Sequence, residues 1–304
     1  MRLIHIIKRL EFINDLEKNI IINQMLTILA PTDFSDNSKA GLRFAIHWSA
    51  RQTVKLVFIH IFHAKRTPLS TDEEFEKFIE GEEIKFNNKL NRFVFSLYRS
   101  LGIKPEKYTL VARQGISADI SLMDYCREHN NINYIAISTR GAGRMNKIFG
   151  TNTGNLITRS EVPVIVIPKK YRKQTLRSLL YTTDFSNSDL ELKEVLAFAR
   201  PLKIRIKLFH LVFPQEVSPD EKTLEKSLRK KFRYTIDVII RKVHIENSIR
   251  ENIQEQIKRS KPSLIAMFTD QNRSLFQKLF YPSKAEQLSF TTSVPLLTFP
   301  KSTS

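Results

Sequence analysis

The chain has 304 residues, 41% hydrophobic and 26% charged, enough for about two domains with cores of their own and too apolar for a disordered chain. A single cysteine, Cys126, excludes an intramolecular disulfide framework and fits a reducing compartment, and no apolar run nears the ~18 residues of a membrane span, so a cytoplasmic protein is expected. The net charge of +18 is spread along the chain, with 25 basic and 17 acidic residues in 1–170 and 24 and 14 in 171–304. A balance of that sign suits nucleic acid, anionic membrane or acidic partners. No basic helix or aromatic–basic stripe marks a docking element, however, so a solvated lysine-rich surface is the simpler reading and nucleic-acid binding a minor option.

In chain order, residues 1–24 place Leu3, Ile6, Ile7, Leu10, Ile13, Leu16 and Ile20 at helical spacing. Such a segment can dock on the rest, mediate pairing or touch a membrane surface. It can equally reflect a start upstream of Met25, and the sequence leaves these open. Beyond it, short apolar runs alternate with helical patterns. Strands are expected at 27–30, 54–61, 108–112, 134–138 and 164–167, with helices near 37–52, 71–101, 116–129 and 151–160 between them. Near-continuous apolar strands separated by helices argue for a parallel sheet covered on both faces. The polar stretch 170–175 reads as a linker.

The pattern is then repeated. TILAPTDFSDNSKAGLRFAIHW from Thr27 is answered by SLLYTTDFSNSDLELKEVLAFA from Ser178, and SEVPVIVIP at 160–168 by TSVPLLTFP at 292–300. Strands are expected near 178–182, 204–212, 235–242, 263–268 and 295–299. This is a tandem duplication, giving domains 25–169 and 176–304. Pro163 and Pro295 stand just ahead of the last strands, where a missing N–H costs least.

The candidate chemistry lies in the first copy. Of the 8 glycines, Gly141, Gly143, Gly150 and Gly154 fall in STRGAGRMNKIFGTNTG at 138–154, and none follows Gly154. A loop this rich in glycine, running into a helix that starts near Thr151, can turn backbone N–H groups and a helix dipole toward phosphates. The hydroxyls of Thr151 and Thr153 add donors, and Arg140 or Arg144 adds positive charge. Thr32 and Asp33 close the first strand, where doubly wound sheets bind ligands. Asp33 suits a ribose hydroxyl or a hydrated Mg ion. Against this, T-D-F-S recurs as Thr183-Asp184-Phe185-Ser186 in a half without glycine, which argues for helix capping as at least part of its work. His60 and His210, at strand ends, read as structural. The histidines and Cys126 lack zinc spacing, and no nucleophile elbow or P-loop lysine occurs. The acidic run 72–86 reads as a solvated helix face.

Taken together, TILAPTDFS in the first strand, FIHIF in the second, the glycine loop ending G-T and EVPVIVIP at the fifth resemble the universal stress protein (UspA-like) family, over 25–169 and more weakly over 176–300. The resemblance implies tandem doubly wound α/β domains with five-stranded parallel sheets ordered 3-2-1-4-5, the second degenerate. It further implies pairing of the two domains as an internal pseudo-dimer, with a homodimer a further arrangement, and ATP at the switch point in one subgroup. In ATP-binding members the contacts would come from Asp33, Ile61, Gly141, Gly150, Thr151 and Thr153. Two departures stand out. Ser138 replaces the signature's first glycine, and eight residues rather than nine separate Gly141 from Gly150. In the second copy Asn272 and Pro282 replace glycines, and Pro282 lacks an N–H donor. The function expected is a stress-response protein that binds ATP or another adenine nucleotide in the first domain and modulates unknown protein partners. At most it hydrolyses ATP slowly. The alternative is a nucleotide-independent interaction protein whose loop is purely structural.

Overall fold

The computed structural model describes residues 25–105, 107–139, 151–172, 175–185, 188–244, 246–269 and 293–300. The expected helical segment 1–24, the loop positions Arg140, Gly141, Gly143, Arg144 and Gly150, and Asn272 and Pro282 lie outside them.

The first half follows the apolar periodicity closely. Strand β1 is Leu26–Pro31, β2 Val54–Phe62, β3 Tyr108–Gln114, β4 Tyr134–Ser138 and β5 Val164–Ile167. Helices α1 (Lys39–Ser49), α2 (Asp72–Leu101), α3 (Ala118–Glu128) and α4 (Thr151–Arg159) alternate with them. Local chemistry sets the helix limits. Thr71 and Glu74 form a reciprocal capping box at the start of α2, and Gly102, in the left-handed region at φ 63°, closes it. The second half repeats the order with β6 (Ser178–Thr182), α5 (Ser188–Ala199), β7 (Arg205–Val212), α6 (Glu221–Phe232) and β8 (Ile236–Lys242). It ends with α7 (Ile249–Ser260), β9 (Leu264–Phe268) and β10 (Leu296–Phe299).

The ten strands among the described residues form one sheet, ordered β3-β2-β1-β4-β5-β10-β9-β6-β7-β8. Each half is parallel within itself, in the order 3-2-1-4-5 of its own strands, and the halves meet at the antiparallel pair β5–β10. Leu297 lies opposite Ile165 across this seam, and the Thr298 hydroxyl donates to the Val164 carbonyl at 3.2 Å. The seam removes the two strand edges that five-stranded halves would otherwise expose. A second contact joins the halves on one face of the sheet, where Trp48 of α1 meets Phe198 of α5 edge-on at 5.3 Å.

Because the sheet is covered on both faces, its side chains divide between two cores. Ile28, Ala30, Phe58, Ala136, Leu179, Tyr181 and Leu208 share one with α1, α2 and α5. Leu29, Val57, Ile59, Ile135, Leu180 and Ile265 share the other with α3, α4 and α7. The prolines ahead of the final strands still serve the ladder, since Pro163 and Pro295 accept from Ile135 N and Ile265 N, each at 3.0 Å.

Candidate functional site

In the first half the strand order reverses between β1 and β4, and a cleft of about 180 Å³ opens beyond their carboxyl ends. Thr32 and Asp33 approach from β1, Ile61 from β2, Ser138 and Thr139 from β4, and Asn152 and Thr153 from the first turn of α4. Of the residues singled out in the sequence, Thr32, Asp33, Ile61, Ser138 and Thr153 therefore share one cleft. Thr151 opens α4, and its side chain is not among those described. The walls divide chemically. Ile61, Leu122, Ile137 and Ala118 offer an apolar surface, while the hydroxyls of Thr32, Ser35, Ser38, Thr139 and Thr153 and the amides of Asn37 and Asn152 offer neutral polar groups. Asp33 is the one charged side chain among the described lining residues. An apolar wall facing neutral hydrogen-bonding groups and one carboxylate fits a base and its sugar. Phosphate charge finds no cation among the described lining residues.

The T-D-F-S segment does something other than cap α1. That helix begins at Lys39 with Ser38 before it, and the Ser38 side chain makes no capping bond. Asp33 instead accepts from Ser35 N at 3.0 Å and from the Ser35 hydroxyl at 2.5 Å, while Thr32 Oγ1 accepts from Phe34 N at 3.0 Å and pairs with Ser38 Oγ at 2.7 Å. Only Ser35, accepting from Ser38 N at 3.3 Å, behaves like a cap. These bonds hold a strand-exit turn in which Phe34 has φ 63°, a region costly for a bulky residue. His60 braces the turn from β2, with Nδ1 2.8 Å from the Thr32 carbonyl and its ring 4.3 Å from Phe34. The second half repeats the device, with Phe185 at φ 66°, His210 Nδ1 2.9 Å from the Thr183 carbonyl and its ring 4.3 Å from Phe185. Both histidines are thus structural. Burial pushes the His60 imidazole below its ordinary value, against the opposing contact with Thr32. Partial burial pushes the Asp33 carboxyl up, but bonds from Ser35 and Ser38 outweigh it and hold the group below the usual carboxylate range.

Ser138 departs from the signature glycine in a definite way. Its hydroxyl accepts from Gly41 N at 2.7 Å and donates to the Ser38 carbonyl at 3.1 Å, pinning the start of α1 to β4. A Cβ on Gly41 would lie 3.0 Å from the Ala136 carbonyl oxygen and 3.2 Å from Ser138 N, so glycine is what permits this approach.

A family model described as the universal stress protein family matches residues 25–168. That segment, just under half of the chain, is what resembles the universal stress protein family. Among solved structures, a universal stress protein from Archaeoglobus fulgidus DSM 4304 is 16% identical, with a TM-score of 0.64 over 90% of this chain and 96% of that one. A functionally unknown protein from Pseudomonas aeruginosa PAO1 is 12% identical, with a TM-score of 0.54 over 93% and 94%. A universal stress protein solved in complex with cAMP is 16% identical over 48% of this chain and 98% of that one, at a TM-score of 0.33. No curated protein matches the sequence significantly. At these identities the likeness is one of fold.

Within the matched segment, the sequence analysis did not single out Asp119. It lies in the first turn of α3, 3% exposed, bonded to the Ser117 hydroxyl and accepting from Asn155 Nδ2 of α4 at 2.6 Å. Burial pushes its carboxyl up, but these bonds prevail and hold it below the usual range. Asp119 thereby fixes the helix that carries Thr153, and an acidic residue in a first helical turn is too common to signal such a role. Asp119→Ala is expected to cost about 1–3 kcal/mol in urea unfolding, because the Asn155 amide is left unpaired.

In the second half Thr32 and Asp33 recur as Thr183 and Asp184, but the position of Ser138 and some of the core positions around the cleft carry bulkier side chains. Ser138 and Ile167, neighbours across β4–β5, correspond to Phe268 and Phe299, whose rings stack at 4.8 Å. Ala30 corresponds to Tyr181 and Ala40 to Glu191, joined there by a 2.5 Å hydrogen bond from the tyrosine hydroxyl.

Proposed function

We propose that this protein is a cytoplasmic, tandem universal stress protein that binds ATP or another adenine nucleotide in its first half and modulates the interactions of protein partners. On this reading 25–169 is the nucleotide-binding domain, 170–175 a linker and 176–304 a degenerate domain that serves as its packing partner. The observation that carries it is the convergence of Thr32, Asp33, Ile61, Ser138 and Thr153 on the switch-point cleft, set against Phe268 at the position of Ser138 in the other half. The apolar wall at Ile61 and Ile137 would hold the base, and Asp33 would accept from a ribose hydroxyl or hold Mg through water. Thr153 and the start of α4 would meet phosphates together with Arg140, Gly141, Gly150 and Thr151.

Among the described residues, no cluster of three His, Cys, Asp or Glu side chains is placed to hold a metal. Any Mg would therefore enter with the nucleotide. No described helix is long and apolar enough to cross a membrane. The role is binding, with hydrolysis slow at most. The internal seam at β5–β10 already joins one pair of domains, and a homodimer would have to use other surfaces.

Equilibrium binding of labelled ATP with Mg tests the reading. Asp33→Ala is expected to weaken binding by about tenfold or more, the cost of losing a hydrogen bond to a charged group. Equal affinity in the variant would remove Asp33 from the site. No binding by the native chain would favour the nucleotide-independent interaction protein.

A further inference from the structure

The sheet ends in two outer strands, β3 and β8, and their free edges differ. Val243 N donates to the Val212 carbonyl, and backbone groups alternate along a strand, so Ile236, Val238 and Ile240 turn theirs away from the sheet. Side chains of α6, spaced four apart, fill that edge. Glu221 and Glu225 accept from Ile240 N and Val238 N, each at 3.0 Å, and Arg229 Nε donates to the Ile236 carbonyl at 2.7 Å. On β3 the same alternation runs back from Gly115 N, which donates to the Phe62 carbonyl, and turns Tyr108, Leu110, Ala112 and Gln114 outward. Among the described residues, nothing bonds to the outward backbone groups of these four. An open edge of 7 residues is a template for another strand.

The helix beside that edge is unusual too. Asn91 of α2 accepts from the Tyr108 hydroxyl at 3.2 Å, and Tyr98 stacks on the Tyr108 ring at 5.7 Å. Positions 84, 91, 95 and 98 share one face of a helix, so Ile84 and Phe95 lie on the side toward β3, where they are 65% and 56% exposed. Charge is divided along α2. Residues 72–86 hold seven acidic and two basic residues, whereas 87–101 hold Lys89, Arg92 and Arg99 and no acid. A helix dipole favours such charges only in the first and last turns, but the acids continue to Glu83. Antiparallel packing of two such helices sets each acidic half against the other's basic half.

We propose that β3 is where two copies of this chain associate, pairing antiparallel with its own equivalent about a two-fold axis at Val111. In that register Leu110 exchanges backbone bonds with the partner's Ala112, and Tyr108 with the partner's Gln114, so every outward group is used. Val111 meets the partner's Val111 and Thr109 the partner's Arg113, which opposes no like charges. An axis normal to the sheet keeps both α2 helices on one face, side by side and antiparallel, with Ile84 and Phe95 between them. The chain already joins its own halves by antiparallel pairing at β5–β10, and the filled β8 edge closes the assembly at two copies.

Sedimentation of the full chain should show a dimer that dissociates on dilution. Ala112→Pro removes an outward N–H that the fold does not use and should raise the dissociation constant about tenfold or more, since the loss counts twice across the axis. Phe95→Glu, at an exposed position, should also weaken the dimer and decides the matter if the proline variant does not fold. Val111→Cys should form an intermolecular disulfide under mild oxidation, because directly opposed residues of a non-hydrogen-bonded pair stand about 4.5 Å apart at Cα. Thr109→Cys, though more exposed, should not, since its copy lies about four residues further along the pair, beyond disulfide reach. Native Cys126 is buried, its thiol pushed up to about 12, and does not compete. Four results would overturn the proposal: a monomer at every concentration, a dimer untouched by the substitutions, Thr109→Cys linking as readily as Val111→Cys, or growth beyond two copies.

Discussion

Leu297→Ala is expected to cost about 2–5 kcal/mol, because the residue is 0% exposed and the deletion leaves a cavity in a strand flanked on both sides. The second consequence is more specific. Leu297 lies between Ile165 of β5 and Ala266 of β9, at the one place where the halves share a sheet. Trp48 belongs to the first half but packs on Phe198 of the second. If the seam couples the halves, urea unfolding followed by Trp48 emission should shift to lower denaturant in Leu297→Ala, although the substitution lies in the other half. A transition seen by Trp48 that stays in place while far-UV dichroism acquires an earlier step would show that the halves unfold separately.

The second large effect is on pH dependence. Glu191 is 3% exposed, and burial, with Asp184 and Glu194 adding to it, pushes its carboxyl up to about 7 despite the opposing bond from Tyr181. The native state therefore keeps this proton at pH values where the unfolded chain, with an ordinary glutamate near 4.5, has lost it. Between those values the native state binds more protons than the unfolded state, so stability falls as pH rises, and it levels off once both are ionised. At about 1.4 kcal/mol per unit the total is a few kcal/mol. Comparing urea midpoints at pH 5 and pH 8, the native chain should lose most of this amount. Glu191→Gln, which still accepts from Tyr181, should lose much less and be the more stable of the two at pH 8. A native chain as pH-dependent as Glu191→Gln would mean that the carboxyl ionises in place without penalty. This buried pair occupies the position of Ala30 and Ala40 in the first half, so the duplicated domain carries a polar contact that its partner lacks.

The alternation of strands and helices was legible because it is local. A strand buried on both faces must be apolar at nearly every position, as in VIVI of β5 and LIAMF of β9, and a neighbour in the chain suffices to show it. The duplication was legible for the same reason, since TDFS and the apolar runs around it recur in order. What T-D-F-S does was not. Capping and a strand-exit turn use the same short polar side chains, and only the position of Phe34 at positive φ, braced by a histidine 26 residues further along, separates them. Gly41 and Ser138 make the same point from farther apart. Nothing in either neighbourhood links them, yet they meet across 97 residues to fix α1 against β4.

The sequence by itself thus determined the strand and helix order, the repeat, and the end of the sheet toward which the polar candidates cluster, because hydrophobic periodicity and turn chemistry are short-range properties. Only the tertiary structure decided that ten strands form one sheet through an antiparallel seam. Only it decided that Ser138 spends its hydroxyl on α1, that Asp119 anchors α4, and that Tyr181 and Glu191 fill the place of two alanines. Each depends on which distant group completes a buried hydrogen bond or a strand edge, and no local pattern encodes that partner.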